Sequence, residues 1–171
     1  MKGILTLFIC VIFSCRMLSA QESLIPMPRE VRKEEGVLDL KQGVHLVRAG
    51  SVPDHEYRLA GEILQEWGIS RQEGSGHFLK LELVNGDDDS SREAYQMKID
   101  ASGITVSATS ATGLFYGLQT LRQLPVTDGR LPFCEIDDKP AFSWRGFFLG
   151  GGRKFFPLGV LQKQKEEMGR G

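Results

Sequence analysis

The chain has 171 residues, of which 41% are hydrophobic and 25% are charged, and its formal net charge is −1. This composition is typical of a globular protein and excludes a disordered or disulfide-stapled chain. Near-neutral charge argues against a nucleic-acid partner, because binding phosphates needs a basic surface. A complete (β/α)₈ barrel is excluded by length, since it typically takes about 250 residues.

Residues 1–20 have the pattern of a secretory signal peptide. Lys2 supplies a positive start, an apolar run extends over residues 4–13, and small residues precede Gln21. The run is shorter than the about 20 apolar residues that cross a membrane. We therefore expect export to the periplasm or the exterior, with no membrane span. A buried N-terminal strand or helix is the alternative.

The cysteines also bear on export. Of the three cysteines, cleavage would remove Cys10 and Cys15 and leave Cys134, so the mature chain would form no internal disulfide. Cys134 lies in a largely apolar stretch and is predicted to pack as a small hydrophobe. Lipid attachment at Cys15 is an alternative to cleavage before Gln21, although Phe13 fits such a site poorly and Arg16 is unusual after the acceptor Cys.

The first half of the mature chain predicts strands followed by a helix. Strand-like sequence extends over residues 31–47, with interruptions at Gly36 and Gly43. Residues 51–67 predict a helix that Ser51 caps and Gly68 ends. The helix has an apolar stripe at helical spacing, made of Leu59, Ala60, Ile63, Leu64 and Trp67.

Alternating apolar residues then predict a strand over residues 78–84 and a hairpin. The hairpin pairs residues 95–100 with residues 104–108 across a turn at 101–103. Together with a second helix, this order predicts an α+β fold. We expect a two-layer sandwich of a mainly antiparallel sheet and two helices.

The second predicted helix begins after Thr109 or Ser110 and ends at Leu124. Gly113 and Gly117 are four residues apart and so lie on one helix face. Interior glycines cost about 1 kcal/mol each relative to alanine. Because missing side chains allow a close approach of the backbone, we expect this face to lie tightly against the sheet.

Residue patterns alone identify no active site. Asp87–Asp89 lack the ligand spacing of a calcium loop and predict a solvated turn. Asp137 and Asp138 are adjacent on an extended chain and should point to opposite sides. Gly150–Gly152 lack the ending of a phosphate-binding loop. The histidines do not have metal-ligand spacing, and we expect surface or strand-edge positions for His45, His55 and His77.

Two longer motifs carry a family resemblance. Residues 111–124, ATGLFYGLQTLRQL, resemble the "G-x-x-Y-G-x-Q-T-L-x-Q-L" helix of glycoside hydrolase family 20, the β-N-acetylhexosaminidases. Residues 136–146, IDDKPAFSWRG, resemble the family's "D-x-P-R-F-x-W-R-G" segment, which leads from its small N-terminal domain into the catalytic barrel. The likeness covers roughly residues 24–156.

The resemblance implies a zincin-like α+β domain without zinc, and exo-cleavage of terminal N-acetylglucosamine or N-acetylgalactosamine from glycans. In this family the acetamido oxygen of the substrate attacks the anomeric carbon. A Glu protonates the leaving group, and an adjacent Asp orients the acetamido group. No metal or organic cofactor is implied. Arg145 matches the family's sugar-binding Arg and is the only site residue carried over.

The sequence departs from the family after Arg145. Gly150 stands where the family has an acidic residue, and beyond Pro157 residues 162–171 lack the apolar pattern expected of the first barrel helix. The family's Asp-Glu pair belongs to a later barrel strand. We therefore expect a signal peptide at 1–20, an α+β domain at 21–140, and at 141–171 the first strand and remnant of a truncated barrel, without activity alone.

Two functions remain open at this stage. The chain is either the non-catalytic N-terminal portion of a secreted hexosaminidase, whose missing barrel would be its partner, or a free-standing glycan-binding module. An aromatic cluster distinguishes them: it would be an unpartnered interdomain patch in the first case and a sugar-stacking platform in the second. Phe142 can instead pack on its own domain. The cluster comprises Phe142, Trp144, Phe147, Phe148, Phe155 and Phe156.

Overall fold

A computed structural model describes residues 24–74, 76–85, 92–142, 144–146 and 156–168. The predicted signal peptide at 1–20, with the alternative lipid site Cys15, lies outside these residues. So do Asp87–Asp89 and Gly150–Gly152. The structural findings below concern the described residues.

Six strands and three helices form the described structure. The strands are β1 (Glu30–Asp39), β2 (His45–Ala49), β3 (Phe78–Leu83), β4 (Tyr95–Asp100), β5 (Gly103–Ala108) and β6 (Arg130–Asp138). The helices are α1 (Asp54–Glu66), α2 (Ala111–Gln123) and α3 (Leu158–Met168).

The strands form one mixed sheet with the order β1-β6-β4-β5-β3-β2. Pairing is antiparallel from β1 through β6 and β4 to β5, and parallel from β5 through β3 to β2. Helix α1 connects β2 to its parallel neighbour β3, as parallel pairing requires a crossover. Helices α1 and α2 contact the sheet and each other. The predicted α+β class is confirmed.

Two strand predictions need correction. Gly36 does not interrupt β1, which continues past it with an irregular register between Lys33 and Val37. The glycine has a φ of +128°, so it accommodates a bulge that keeps both halves of the strand paired. Strand β6 was not predicted, because Pro132 disfavours a central strand. Its ladder with β4 begins only at Cys134, beyond the proline.

The first helix begins later than predicted. It begins at Asp54, and Pro53 occupies the cap position without a side-chain hydrogen bond, so the predicted cap at Ser51 is wrong. Asp54 and Glu56 place negative charge in the first turn, where the helix dipole favours it. Gly68 follows the helix with a φ of +69°, as its predicted role as a stop requires.

The second helix packs tightly on the hairpin, as predicted. Ser110 is its cap, and its hydroxyl oxygen accepts a hydrogen bond from the Gly113 backbone N–H at 3.1 Å. A Cβ atom on Gly117 would lie 2.6 Å from Cγ1 of Val106 in β5. The buried hydroxyls of Tyr95 and Thr120 lie 2.6 Å apart and connect β4 to the same helix.

Residues 158–168 are helical although they lack an apolar stripe. This segment is helix α3. Its described side chains are exposed, so helix formation rests on backbone hydrogen bonding and on helix-favouring Gln and Lys residues. The described residues among 139–146 contain no strand, while residues 147–155 lie outside the description. The predicted boundary at 140/141 and first barrel strand remain predictions.

Candidate functional site around Arg145

The segment that leads into β4 is fixed against the beginning of α2. The Ser110 hydroxyl donates a hydrogen bond to the carbonyl oxygen of Arg92. A Cβ atom on Gly113 would lie 2.3 Å from the carbonyl oxygen of Ala94, an approach that only glycine allows. Glu93 lies between these two contacts, so its backbone position is set by α2.

Arg145 contacts Glu93. Its Nη2 donates a hydrogen bond to the Glu93 carboxylate, and its Nη1 donates one to the carbonyl oxygen of Phe142 at 2.8 Å. The bond to Glu93 raises the pKa of Arg145 above its ordinary value, and the Tyr116 hydroxyl on α2 also raises it. The Arg145 side chain is still 43% exposed. The guanidinium is therefore charged, fixed by two hydrogen bonds, and accessible to solvent.

The raised pKa of Arg145 connects two motifs that are separate in the sequence. Tyr116 belongs to the segment 111–124, and Arg145 belongs to the segment 136–146. Sequence analysis singled out Arg145 alone and missed the environment that Glu93 and Tyr116 provide. The position of Tyr116 within the first motif was the available signal, whereas nothing in the sequence around Glu93 indicated a contact with Arg145.

Aromatic side chains beside Arg145 are exposed. Trp144 is 83% exposed and Phe142 is 72% exposed, so the alternative that Phe142 packs on its own domain is wrong. Phe156 is half-buried. The other members of the predicted aromatic cluster lie outside the described residues. Such adjacent exposed aromatics are a feature of interaction surfaces.

A shallow groove of about 370 Å³ crosses the central strands of the sheet. Its charged side chains contact one another. Lys98 and Glu135 form an ion pair of 3.0 Å, and Gln96 donates a hydrogen bond of 2.9 Å to Asp137. The contact with Glu135 raises the pKa of Lys98. The groove is therefore lined by polar groups that already compensate one another.

The two adjacent aspartates do not form a catalytic pair. Asp137 accepts a hydrogen bond from Gln96. Gln96 lies on the polar face of β4, the face that also carries Lys98. Asp138 accepts a hydrogen bond from the backbone N–H of Arg29. Burial raises the pKa of the Tyr95 hydroxyl, and the nearby Asp138 carboxylate also raises it. The carboxylates therefore point to opposite faces of the sheet, as predicted.

Cys134 is buried, as predicted. Burial raises the pKa of its thiol to about 11, because the thiolate would lose its hydration there. The thiol is therefore held in its neutral form at physiological pH. This environment suits a packing role rather than a nucleophilic one.

His45 and His55 make structural contacts. Nδ1 of His45 lies 3.2 Å from the carbonyl oxygen of Gln72, and the ring of His55 stacks on Phe115 with centroids 6.4 Å apart. The described residues hold no group of three or more His, Cys, Asp or Glu side chains suited to a metal ion. Within that same part of the chain, no helix combines the length and apolar character of a membrane span.

Comparisons with known proteins identify relatives of this chain. The sequence model of "Glycosyl hydrolase family 20, domain 2" matches residues 21–139. A beta-hexosaminidase of Porphyromonas gingivalis is 36% identical over an alignment of 89 residues, and the alignment covers 44% of this chain and 11% of that protein. One of Vibrio vulnificus is 26% identical over 147 residues, which are 85% of this chain and 17% of that protein.

A solved structure shows the same fold. An N-acetyl-beta-hexosaminidase of Streptomyces plicatus, in complex with Thio-NAglucal, aligns with a TM-score of 0.66 and 26% identity. The alignment covers 91% of this chain and 34% of that chain. The match to the two curated relatives spans less than a fifth of their length. Because the family match extends over residues 21–139, the chain belongs to glycosyl hydrolase family 20 and carries domain 2 of that family.

Proposed function

We propose that this chain supplies the N-terminal, non-catalytic part of an exported β-N-acetylhexosaminidase. The family match over residues 21–139 carries this proposal. The matched proteins of Porphyromonas gingivalis and Vibrio vulnificus are beta-hexosaminidases. The substrate class is glycans with a terminal β-linked N-acetylglucosamine or N-acetylgalactosamine.

Arg145 is the substrate-binding residue of this proposal. A guanidinium donates several hydrogen bonds in one plane, which suits a pair of neighbouring sugar hydroxyls. Its contacts with Glu93 and Phe142 leave part of the side chain exposed for such a ligand. Arg145 would bind the sugar away from the bond that is cleaved, so it contributes binding and orientation.

Hydrolysis itself needs groups outside this domain. The family resemblance implies attack by the substrate's acetamido oxygen on the anomeric carbon, with a Glu that protonates the leaving oxygen. A neighbouring Asp would orient the acetamido group, and both carboxylates would come from the barrel. The reaction would need no metal or organic cofactor. We therefore expect residues 1–171 alone to be inactive.

The exposed aromatics support a barrel as partner. Phe142 and Trp144 lie next to Arg145 and are exposed, although burial of such side chains is strongly favourable. In the proposed enzyme they pack against the barrel that completes the sugar site. This arrangement would bury the aromatic patch and bring Arg145 to the substrate at the same time.

A glycan-binding module is the second candidate, because exposed aromatic rings beside a cation are also suited to sugar stacking. In that case Trp144 would contact sugar directly, with Arg145 as its polar neighbour. This function would need no barrel. It predicts binding by the chain alone, whereas the first proposal does not.

Tryptophan fluorescence separates the two functions. The chain has two tryptophans, Trp67 and Trp144, so the Trp144→Phe variant reports the signal of Trp67 alone. We expect N-acetylglucosamine and its β-linked disaccharide to leave the emission unchanged. A saturable change in the unmodified chain that disappears in Trp144→Phe, and is absent with glucose, would contradict the first proposal and support the module.

A further inference from the structure

We propose that Glu93 is a positioning residue that, together with the Phe142 carbonyl oxygen, sets the orientation of the Arg145 guanidinium. This inference rests on the proposed sugar-binding role of Arg145 and deepens it. It assigns the small domain a part in presenting the sugar-binding group, beyond its connection to the rest of the enzyme.

Arg145 needs such support because of where it lies. The described residues around it, 144–146, have no regular structure, and an arginine side chain has many rotamers. A binding group that is already oriented loses less entropy when the ligand arrives. The Glu93 carboxylate and the Phe142 carbonyl oxygen hold different Nη atoms of the guanidinium, so together they restrict its rotation.

Glu93 can orient Arg145 because it is itself held in place. The neighbouring Arg92 carbonyl accepts a hydrogen bond from Ser110, and the neighbouring Ala94 carbonyl lies against Gly113. Both contacts come from the first turn of α2 or its cap. The helix that carries Tyr116 therefore also fixes the backbone on either side of Glu93.

Tyr116 of α2 provides a comparison with Glu93. It lies one turn after Gly113, and its ring packs edge-on against Phe115 with centroids 5.7 Å apart. Its hydroxyl favours the charged guanidinium of Arg145. The carboxylate supplies the stronger interaction, because hydrogen bonds between ionised groups exceed those to a neutral hydroxyl. The effect of removing Glu93 should therefore exceed that of removing the Tyr116 hydroxyl.

NMR of the arginine side chains in the full chain tests this inference. The measured quantity is the rate of rotation that exchanges the two Nη groups of Arg145, with its signals assigned by their loss in Arg145→Lys. We expect Glu93→Gln to accelerate the rotation about tenfold, which is the factor that corresponds to 1.4 kcal/mol. Tyr116→Phe should accelerate it less, and Glu93→Asp should restore part of the slow rotation.

Glu30→Gln is the matched control, because Glu30 forms a similar pair with Arg32 at 2.7 Å. This variant should accelerate the Nη rotation of Arg32 and leave the Nη rotation of Arg145 unchanged. A preserved amide spectrum shows that each variant is folded. An unchanged rotation rate of Arg145 in Glu93→Gln would overturn the inference. So would a change of the Arg145 rate in Glu30→Gln that equals the change in Glu93→Gln. Because no sugar is present, the result is independent of whether Arg145 binds sugar.

Discussion

Gly113 and Gly117 determine how closely the second helix approaches the sheet. An added Cβ would meet the Ala94 carbonyl oxygen at position 113 and Cγ1 of Val106 at position 117. The helix accepts the lower propensity of glycine at both positions because the close approach buries neighbouring leucines, including Leu114 and Leu118. The same approach fixes the segment that contains Glu93, so packing and the candidate site depend on one feature.

The variant Gly117→Ala should therefore destabilise the protein by about 1–3 kcal/mol, because the new methyl group overpacks the interface with Val106. Gly117→Leu should cost at least as much. The free energy of unfolding from urea titration measures the effect.

Gly61 in α1 provides the control. A Cβ there would lie 3.5 Å from Nη1 of Arg71, an ordinary contact. Gly61→Ala should consequently stabilise the protein by about 0.5–1 kcal/mol through helix propensity alone. A urea midpoint that rises for Gly117→Ala as it does for Gly61→Ala would contradict the packing account.

Residue patterns could not identify the candidate site. Arg145 was singled out only through resemblance to a family motif, since one arginine in an irregular segment has no chemical signature. Glu93 follows a polar loop, and its importance depends on contacts across 52 residues of sequence. Such contacts arise because α2 packs against residues 92–94, the segment that leads into β4. Local sequence patterns do not encode this packing.

At the scale of elements, strong periodicity was predictive. The alternation in β4 and β5 and the apolar stripes of α1 and α2 match the observed elements closely. Strand β6 escaped prediction because its charged residues and Pro132 obscure the alternation. Its place in the sheet is set by pairing with β1 and β4, which is tertiary information.

The leader segment supports a prediction that processing can test. We expect the exported protein to begin at Gln21, because a positive start, an apolar run and small residues precede it. Intact mass after expression with an export pathway should lack residues 1–20. Retention of Met1 would contradict export, and a mass that fits lipid on an N-terminal Cys15 would replace cleavage before Gln21 with the lipoprotein alternative.

At the scale of the whole molecule, two surfaces of the described residues differ in character. The sheet has a polar groove in which charged side chains form ion pairs. Lys98 pairs with Glu135 there. The region around Arg145 instead presents a charged group beside the exposed rings of Phe142 and Trp144. Burial of these rings against a partner would be favourable.

We propose that this chain binds substrate within a larger enzyme and does not catalyse hydrolysis alone. Arg145 can supply a charged hydrogen bond, worth about 1.5–3 kcal/mol. Enzymes typically lower the activation barrier by about 8 kcal/mol or more. A single binding contact therefore falls well short of what catalysis needs.

The most direct test is release of chromophore from an aryl N-acetyl-β-glucosaminide by the purified chain. We predict no release above that of a matched Arg145→Ala preparation, with both proteins shown to be folded by their urea transitions. Steady turnover by the unmodified chain that is lost in Arg145→Ala would contradict the account, since it would place catalytic groups within these 171 residues.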